Sequence, residues 1–356
     1  MSLLSSYVSR TVFAAMLLVL CLLLGLDLVF SLIAEMEDLK GGYQLLQALQ
    51  VVTLELPYRL CDILPVAGLV GGIMGLGVLA GQSELTVMRA SGISVGRIVW
   101  WAMRPALILV LVGLAVAQFV IPVSNRQAEI VKAHALGQNY RAGFLSGFWH
   151  REGNDFIHMQ QVDPDGRLQQ VTFYRLEGGA DLQAMTLAAA GVPRAAGGWR
   201  LQDLKQVGFS GKDGSATESA LPDFDWTPGL TPDFLRLVTV SPEYLPLTSL
   251  HGYARYLDGQ GLESGIYYLE FWKKALAPLA TLSMVLIACT FIFGPLRSVT
   301  MGLRIVAGVL AGLGFRYLQD IFGYASLVYD FSPFMAVLLP VAVSLAGGLA
   351  ALRRVR

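Results

Sequence analysis

The sequence predicts an α-helical membrane protein with six transmembrane helices, set three and three around an inserted antiparallel β domain. Three observations carry this. Of the 356 residues, 54% are hydrophobic and only 15% charged, with a mean hydropathy of +0.56, whereas soluble domains carry about a quarter charged residues. Six apolar stretches each reach the roughly 20 residues that a helix needs to cross a bilayer. Between the third and the fourth, the hydrophobic period changes to that of short strands.

The spans are expected near residues 11–33, 60–80, 98–120, 272–293, 301–322 and 333–352. The first is too long for a signal peptide and lacks a small-residue cleavage site, so it reads as a retained span. Arginines set the orientation. Arg10, Arg89, Arg97, Arg297, Arg304, Arg353, Arg354 and Arg356 all fall on one side if the chain crosses six times, while Glu35, Glu37, Asp38, Asp320 and Asp330 fall on the other. Both termini are therefore expected inside and the middle of the chain outside. The segment 136–250 holds strand-length runs, "NDFIHMQQV", "RLQQVTFYRL", "DLQAMTLAAAGV" and "GWRLQDLKQVGF", broken by "DPDG", "EGGAD" and "AAGG". Turn residues at that spacing predict an antiparallel roll or sandwich. The expected divisions are 1–125 with three spans, 126–265 with the β domain and its connections, and 266–356 with three more.

Several functions are excluded or unsupported. Net charge is zero, which removes any bulk attraction to nucleic acid. Cys21, Cys61 and Cys289 all lie in apolar stretches, and His134, His150, His158 and His251 show no ligand spacing, so neither a disulfide framework nor a metal site is expected. No nucleotide-cradling G-x-x-x-x-G-K-[ST] occurs. "GGIMGLG" (71–77) is rich in glycine but lies inside a span, where it favours close helix packing. No catalytic constellation or cofactor site is predicted.

One polar stretch between spans two and three calls for an explanation: "GQSELTVMRASGIS", 81–94. Ser83 is a candidate N-cap, Glu84 sits in the first turn, where the helix dipole favours an acid, and Gly92 is a stop. Leu85, Val87 and Met88 supply an apolar side. A short amphipathic helix over about 82–93 follows, either resting on lipid or docking in a groove of a partner protein. Glu84 is poorly placed against anionic lipid and well placed against a basic group.

The motifs "SELTVMRASGIS" and "FIFGPLRSVTMGLRIVAG" (291–308), within the three-plus-three layout, resemble the lipopolysaccharide export permeases. "FGPLRS" is closest to the G-type subunit. The resemblance implies a permease of an ABC-type exporter in the inner membrane of a Gram-negative bacterium, with its β domain, a jelly roll, in the periplasm. Such a permease takes lipopolysaccharide from the outer leaflet and passes it towards a bridge to the outer membrane. It implies as partners an F-type permease subunit, a cytoplasmic ATPase dimer that binds the ATP and Mg, a single-span bitopic subunit (LptC-type) and a periplasmic bridge protein (LptA-type). The chain itself is then a transporter subunit with no nucleotide site of its own. A permease for another lipid or lipoprotein, and a non-transporting membrane scaffold, are the alternatives.

Carried over residue by residue, the resemblance places ATPase coupling on Glu84, Leu85, Met88 and Arg89; Arg89 departs from the uncharged residue of the G-type pattern. Lipid phosphates need cations at the outer rim above apolar walls. Only Lys40 of "AEMEDLKGG" matches a family lysine cluster, with Ala34 and Gly41 at neighbouring positions, and Lys132 falls on another basic position. A local ion pair with Glu35, Glu37 or Asp38 is the alternative for Lys40. Ile63, Leu64 and Leu313 are candidates for acyl-chain contact, and Arg316 for headgroups, unless it pairs with Asp320 one turn along. Asp27, deep in span one, is expected to be paired or to face a cavity. Pro57 and Pro65 are expected to shape the start of span two.

Overall fold

The computed structural model describes every residue except 1, 41, 137–147, 153, 163–166, 178–180, 195–196, 210–215, 228–240, 260–262, 295–298 and 355–356. The motif "FGPLRS" therefore lies partly outside the described residues, Arg297 included. Among the described residues, six helices are long and apolar enough to cross a membrane: α1 (Ser2–Met36), α2 (Leu45–Gly81), the run of α4 (Val95–Ala115) through a π-helical turn (Val116–Val120) into α5 (Ile121–Leu136), α7 (Gly265–Phe293), α8 (Met301–Val328) and α9 (Pro333–Arg354). A short helix, α3 (Glu84–Ala90), links α2 to α4, and α6 (Leu247–Gly259) precedes α7. Two compact units result: 1–39, 48–128 and 242–356 form the helical unit, and 40–47 with 129–241 form the sheet unit.

The helices run well past the expected spans. The third runs on through α5 to Leu136, and α2 begins at Leu45 and carries Pro57 and Pro65 in its interior. Each proline removes only one backbone donor, and in apolar surroundings the remaining backbone groups have no better partner than the helix itself. Unexpected from the sequence, α6 buries Leu250, Tyr253, Ala254 and Leu257, the spacing of one helical face. Its start is closed by Gln118 of the π turn, which accepts from the Leu247 N–H and donates to the Thr248 hydroxyl, each at 3.1 Å.

Glycines let α1 and α8 approach α2 closely. A Cβ at Gly71 would lie 2.5 Å from the Met16 Cα, and one at Gly75 would lie 2.8 Å from the Val12 Cα. These are backbone contacts that no rotamer change can relieve, so the "GGIMGLG" stretch does the packing expected of it. From the other side, Gly308 of α8 leaves room for Ile73. The apolar core of the unit runs through Val12, Met16, Leu69, Ile73, Leu76, Val285 and Cys289.

The sheet unit holds β1 (Phe148–Glu152), β2 (Asp155–Val162), β3 (Leu168–Glu177), β4 (Asp181–Pro193), β5 (Trp199–Phe209), β6 (Ala216–Leu221) and β7 (Phe224–Trp226). β2 to β5 match the four quoted strand runs. The order is β1-β2-β3-β4-β5-β6, all antiparallel, with β7 also on β5. β6 and β7 pair with β5 in one unbroken register, Leu204↔Leu221 and Leu201↔Phe224. They are one edge strand interrupted at Pro222, which has no N–H to give the ladder. The resemblance implies a jelly roll; the described strands connect as a meander, and no crossing connection occurs among the described residues.

A row of unpaired positions runs from β2 to the β6–β7 edge: Gln160, Gln170, Ala189, Asp203 and Pro222. Gln170 and Asp203 have left-handed backbone, φ 51° and 53°. The buried positions step by three across the row, Leu168 to Val171, Ala188 to Gly191 and Leu201 to Leu204. Strict alternation would give two or four. The row therefore acts as a line of bulge-like breaks that hands the core from one side of the pleat to the other. Above and below it, Ile157, Met159, Val171, Trp199 and Trp226 form the apolar centre.

Candidate functional site

α3 is the polar stretch singled out from the sequence. Its C-terminus follows the expected pattern: Gly92 has φ 88°, its N–H donates to the Arg89 carbonyl and the Ile93 N–H to the Met88 carbonyl, 3.0 and 3.1 Å. That is a Schellman closure, completed by burial of Ile93. Its N-terminus corrects the expectation. Ser83 has φ 61° and makes no side-chain cap bond. The link from α2 is only Gln82 and Ser83, and the sharp reversal forces Ser83 into the left-handed region, where its hydroxyl cannot reach back to the first turn.

The apolar side is also divided differently from the amphipathic picture. Leu85 and Met88 are 4% and 5% exposed and belong to the same apolar cluster as Val8, Ile98 and Trp101. They seat the helix on its own subunit. Val87, at 66% exposed, and Arg89 remain on the open side. Glu84 lies between the two sides: its Oε1 accepts a hydrogen bond from the Tyr7 hydroxyl at 3.0 Å.

Away from α3, the helical unit carries a belt of charge on α1, α2, α7 and α8. Arg59 donates to Asp27 of α1 at 3.0 Å and to Glu55 one turn earlier on α2 at 2.7 Å. Asp27 is thus paired, as expected of an acid at that depth. Arg316 corrects the expected pair with Asp320: it reaches Asp62 of α2 at 2.7 Å. Helical side chains lean towards the N-terminus of their own helix, so Arg316 is carried away from Asp320 and towards α2. A base placed four residues before an acid is also the less favourable order. Lys273 pairs with Glu270 at 2.9 Å. Of the acyl-chain candidates, Leu64 is buried, its methyl lying 2.7 Å from where a Gly113 Cβ would be. Ile63 packs partly buried beside Val19, Leu20 and Val70, and Leu313 is exposed.

Lys40 and Lys132 both lie in the sheet unit. Lys40 is exposed, and its backbone carbonyl accepts from the Tyr43 N–H at 3.0 Å. Lys132 stands 5.7 Å above the Tyr43 ring, within cation–π range. No group of three metal-ligating side chains occurs among the described residues.

A family model for the lipopolysaccharide export system permeases LptF/LptG matches residues 6–354. The chain belongs to this family. The lipopolysaccharide export system permease protein LptG of Escherichia coli (strain K12) is 33% identical over 341 residues, 95% of this chain and 94% of that protein. The LptG of Haemophilus influenzae is 30% identical over 339 residues, again 95% and 94%. The G-type likeness seen in the motifs is matched by relatives of that name along nearly the whole chain. The molecule is accordingly a multi-pass membrane permease of the LptF/LptG family.

Within this family member, sequence reasoning overlooked Arg59, Asp62 and Tyr7. The first had a visible signal: Glu55 and Arg59 stand four apart in "ELPYR", the spacing of a helical ion pair. Pro57 between them is equally compatible with a helix start, which would leave the two side chains on different elements. Asp62 and Tyr7 had none, because their partners lie on other helices.

Proposed function

We propose that the chain is the G-type permease subunit of an ATP-driven lipopolysaccharide exporter. It works beside an F-type permease subunit and a single-span bitopic subunit. A cytoplasmic ATPase dimer holds the ATP and Mg and pushes on α3. The observation that carries the coupling is the construction of α3. Leu85 and Met88 are sunk in the subunit's own core, while Glu84, Val87 and Arg89 face outward or to the edge. A two-turn helix is unstable alone; seated in this way, it can pass a push directly into the helices beneath. Lipid enters from the outer leaflet between apolar helix faces, and Lys40 and Lys132 meet its phosphates at the outer rim by snorkelling. The sheet unit lies in the periplasm, with both termini in the cytoplasm, and hands the lipid to the periplasmic bridge protein.

The test of coupling is charge reversal. Glu84→Lys turns attraction for a basic groove into repulsion and should strip the ATPase from the purified complex. Full retention of the ATPase with normal transport would refute docking at α3. At the lipid rim, Lys40→Glu/Lys132→Glu should lower extraction while the complex assembles normally, because neither change touches α3 or the apolar helix faces. Photocrosslinking of lipopolysaccharide at the two positions reads the contact directly; no crosslink together with normal transport would remove both lysines from the lipid path.

A further inference from the structure

The α3 seat includes the first turns of α1. Tyr7 gives its hydroxyl hydrogen to Glu84 Oε1 at 3.0 Å. Two residues on, Ser9 donates to the Trp101 carbonyl at 2.7 Å. That carbonyl lacks its helical partner because the residue four along is Pro105. Between these two bonds Val8 is fully buried, in the same cluster as Leu85, Met88, Ile98 and Trp101. The start of α1 is thus fastened to α3 by Tyr7 and to α4 by Ser9.

The second oxygen of Glu84, Oε2, is shut off from water and has no hydrogen-bond partner in the subunit. Such an oxygen costs free energy until a donor arrives. A glutamate on the rim of a two-turn helix would otherwise sample several rotamers, and binding would have to order it. The tyrosine ring, with two torsions and a long helix behind it, fixes one carboxylate oxygen and so holds Glu84 in one rotamer at the edge of α3, where an incoming ammonium or guanidinium meets an acid already ordered.

We propose that Tyr7 is the positioning residue for Glu84. It holds the carboxylate ready for a basic group of the ATPase and makes the first turns of α1 part of the coupling element. This rests on α3 being the docking helix.

The test is a double-mutant cycle in the reconstituted exporter, with Tyr7→Phe, Glu84→Ala and both together. It reads ATPase affinity for the membrane complex and lipid moved per ATP hydrolysed. Tyr7→Phe keeps the ring and its packing and removes one hydrogen bond. It should weaken ATPase binding about fivefold, the equivalent of about 1 kcal/mol. In the Glu84→Ala background the same change should add less than about twofold, since groups acting through one another are not additive. A general packing role would give the same loss in both backgrounds, and that result overturns the proposal. So does wild-type behaviour of Tyr7→Phe beside a weakened Glu84→Ala, which leaves docking at α3 standing. An unchanged Glu84→Ala instead removes the docking reading, and this inference with it.

Discussion

Near α3, α1 crosses α2 backbone to backbone, with Gly71 against Met16 and Gly75 against Val12, and every fourth residue of α1 from Val8 to Met16 is fully buried. Towards the other end of α1 the described contacts with α2 are looser. No described residue of α1 beyond Leu20 is buried: Leu23 and Leu24 pack only partly buried beside Ala67 and Val70, Leu22, Leu26, Val29, Phe30 and Ile33 are exposed, and Asp27 pairs with Arg59 of α2. The α8 helix repeats the contrast, close to α2 at Gly308 and held to it further along by Arg316 and Asp62. Close packing has one geometry and resists separation, because any gap forfeits dispersion contacts at once. A half-exposed ion pair can part more cheaply, since water or another anion can replace the partner. One end is thus closely packed and the other is held by separable ion pairs, the contrast that the proposed coupling and lipid entry would draw on.

The largest test of this contrast is steric. Gly71→Leu puts a side chain into the Met16 backbone and should cost about 3 kcal/mol, the upper end of over-packing, read as loss of folded protein in detergent thermal unfolding. Gly25→Leu, on the open half with nothing within 4 Å, should be close to neutral. Equal losses at the two glycines would abolish the distinction.

Arg59→Met comes next. It leaves Asp27 and Glu55 without their cation; these groups are a quarter to a third exposed, so the loss should be about 1–2 kcal/mol, below that of a fully buried pair. Replacing all three by leucine should restore most of the stability, which separates a switchable tie from an indispensable one. A triple variant as unstable as Arg59→Met would show that the belt is needed for folding.

Ser9→Ala sharpens the packed end. It strands the Trp101 carbonyl and should cost about 1 kcal/mol, with faster amide exchange in the first turns of α1 as the readout.

The smallest effect lies in the sheet unit, where ion pairs face water. Asp225 is held below its ordinary value of 3.8, chiefly by its hydrogen bond from Arg200, with Arg194 adding to it. A lowered carboxylate favours the folded state above pH 3.8, and that contribution disappears as pH falls through the lowered value. Amide exchange in β7 should therefore rise only below pH 3.8; a rise above it would mean another group controls that edge.

Hydrophobic length and turn chemistry settled much in advance: six spans, strands β2 to β5, a short helix after α2 closed at Gly92, and glycines that pack inside a span. Each depends on residues near one another in sequence, where period and spacing are the physics. The orientation of each face was decided by the tertiary structure. In a membrane, lipid and protein interior are equally apolar, so the hydrophobic period does not say which side of a helix turns inward. Leu85 and Met88 turned in and Val87 out for reasons that lie on α1 and α4, where Val8 and Trp101 form the floor. The charge pairs followed the same rule. Spacing along α8 offers Asp320 to Arg316, but the register between α8 and α2 presents Asp62 instead. That register is set by Gly308 and Gly312 meeting Ile73 and Val66, more than 200 residues apart in the chain and adjacent only once the helices have packed.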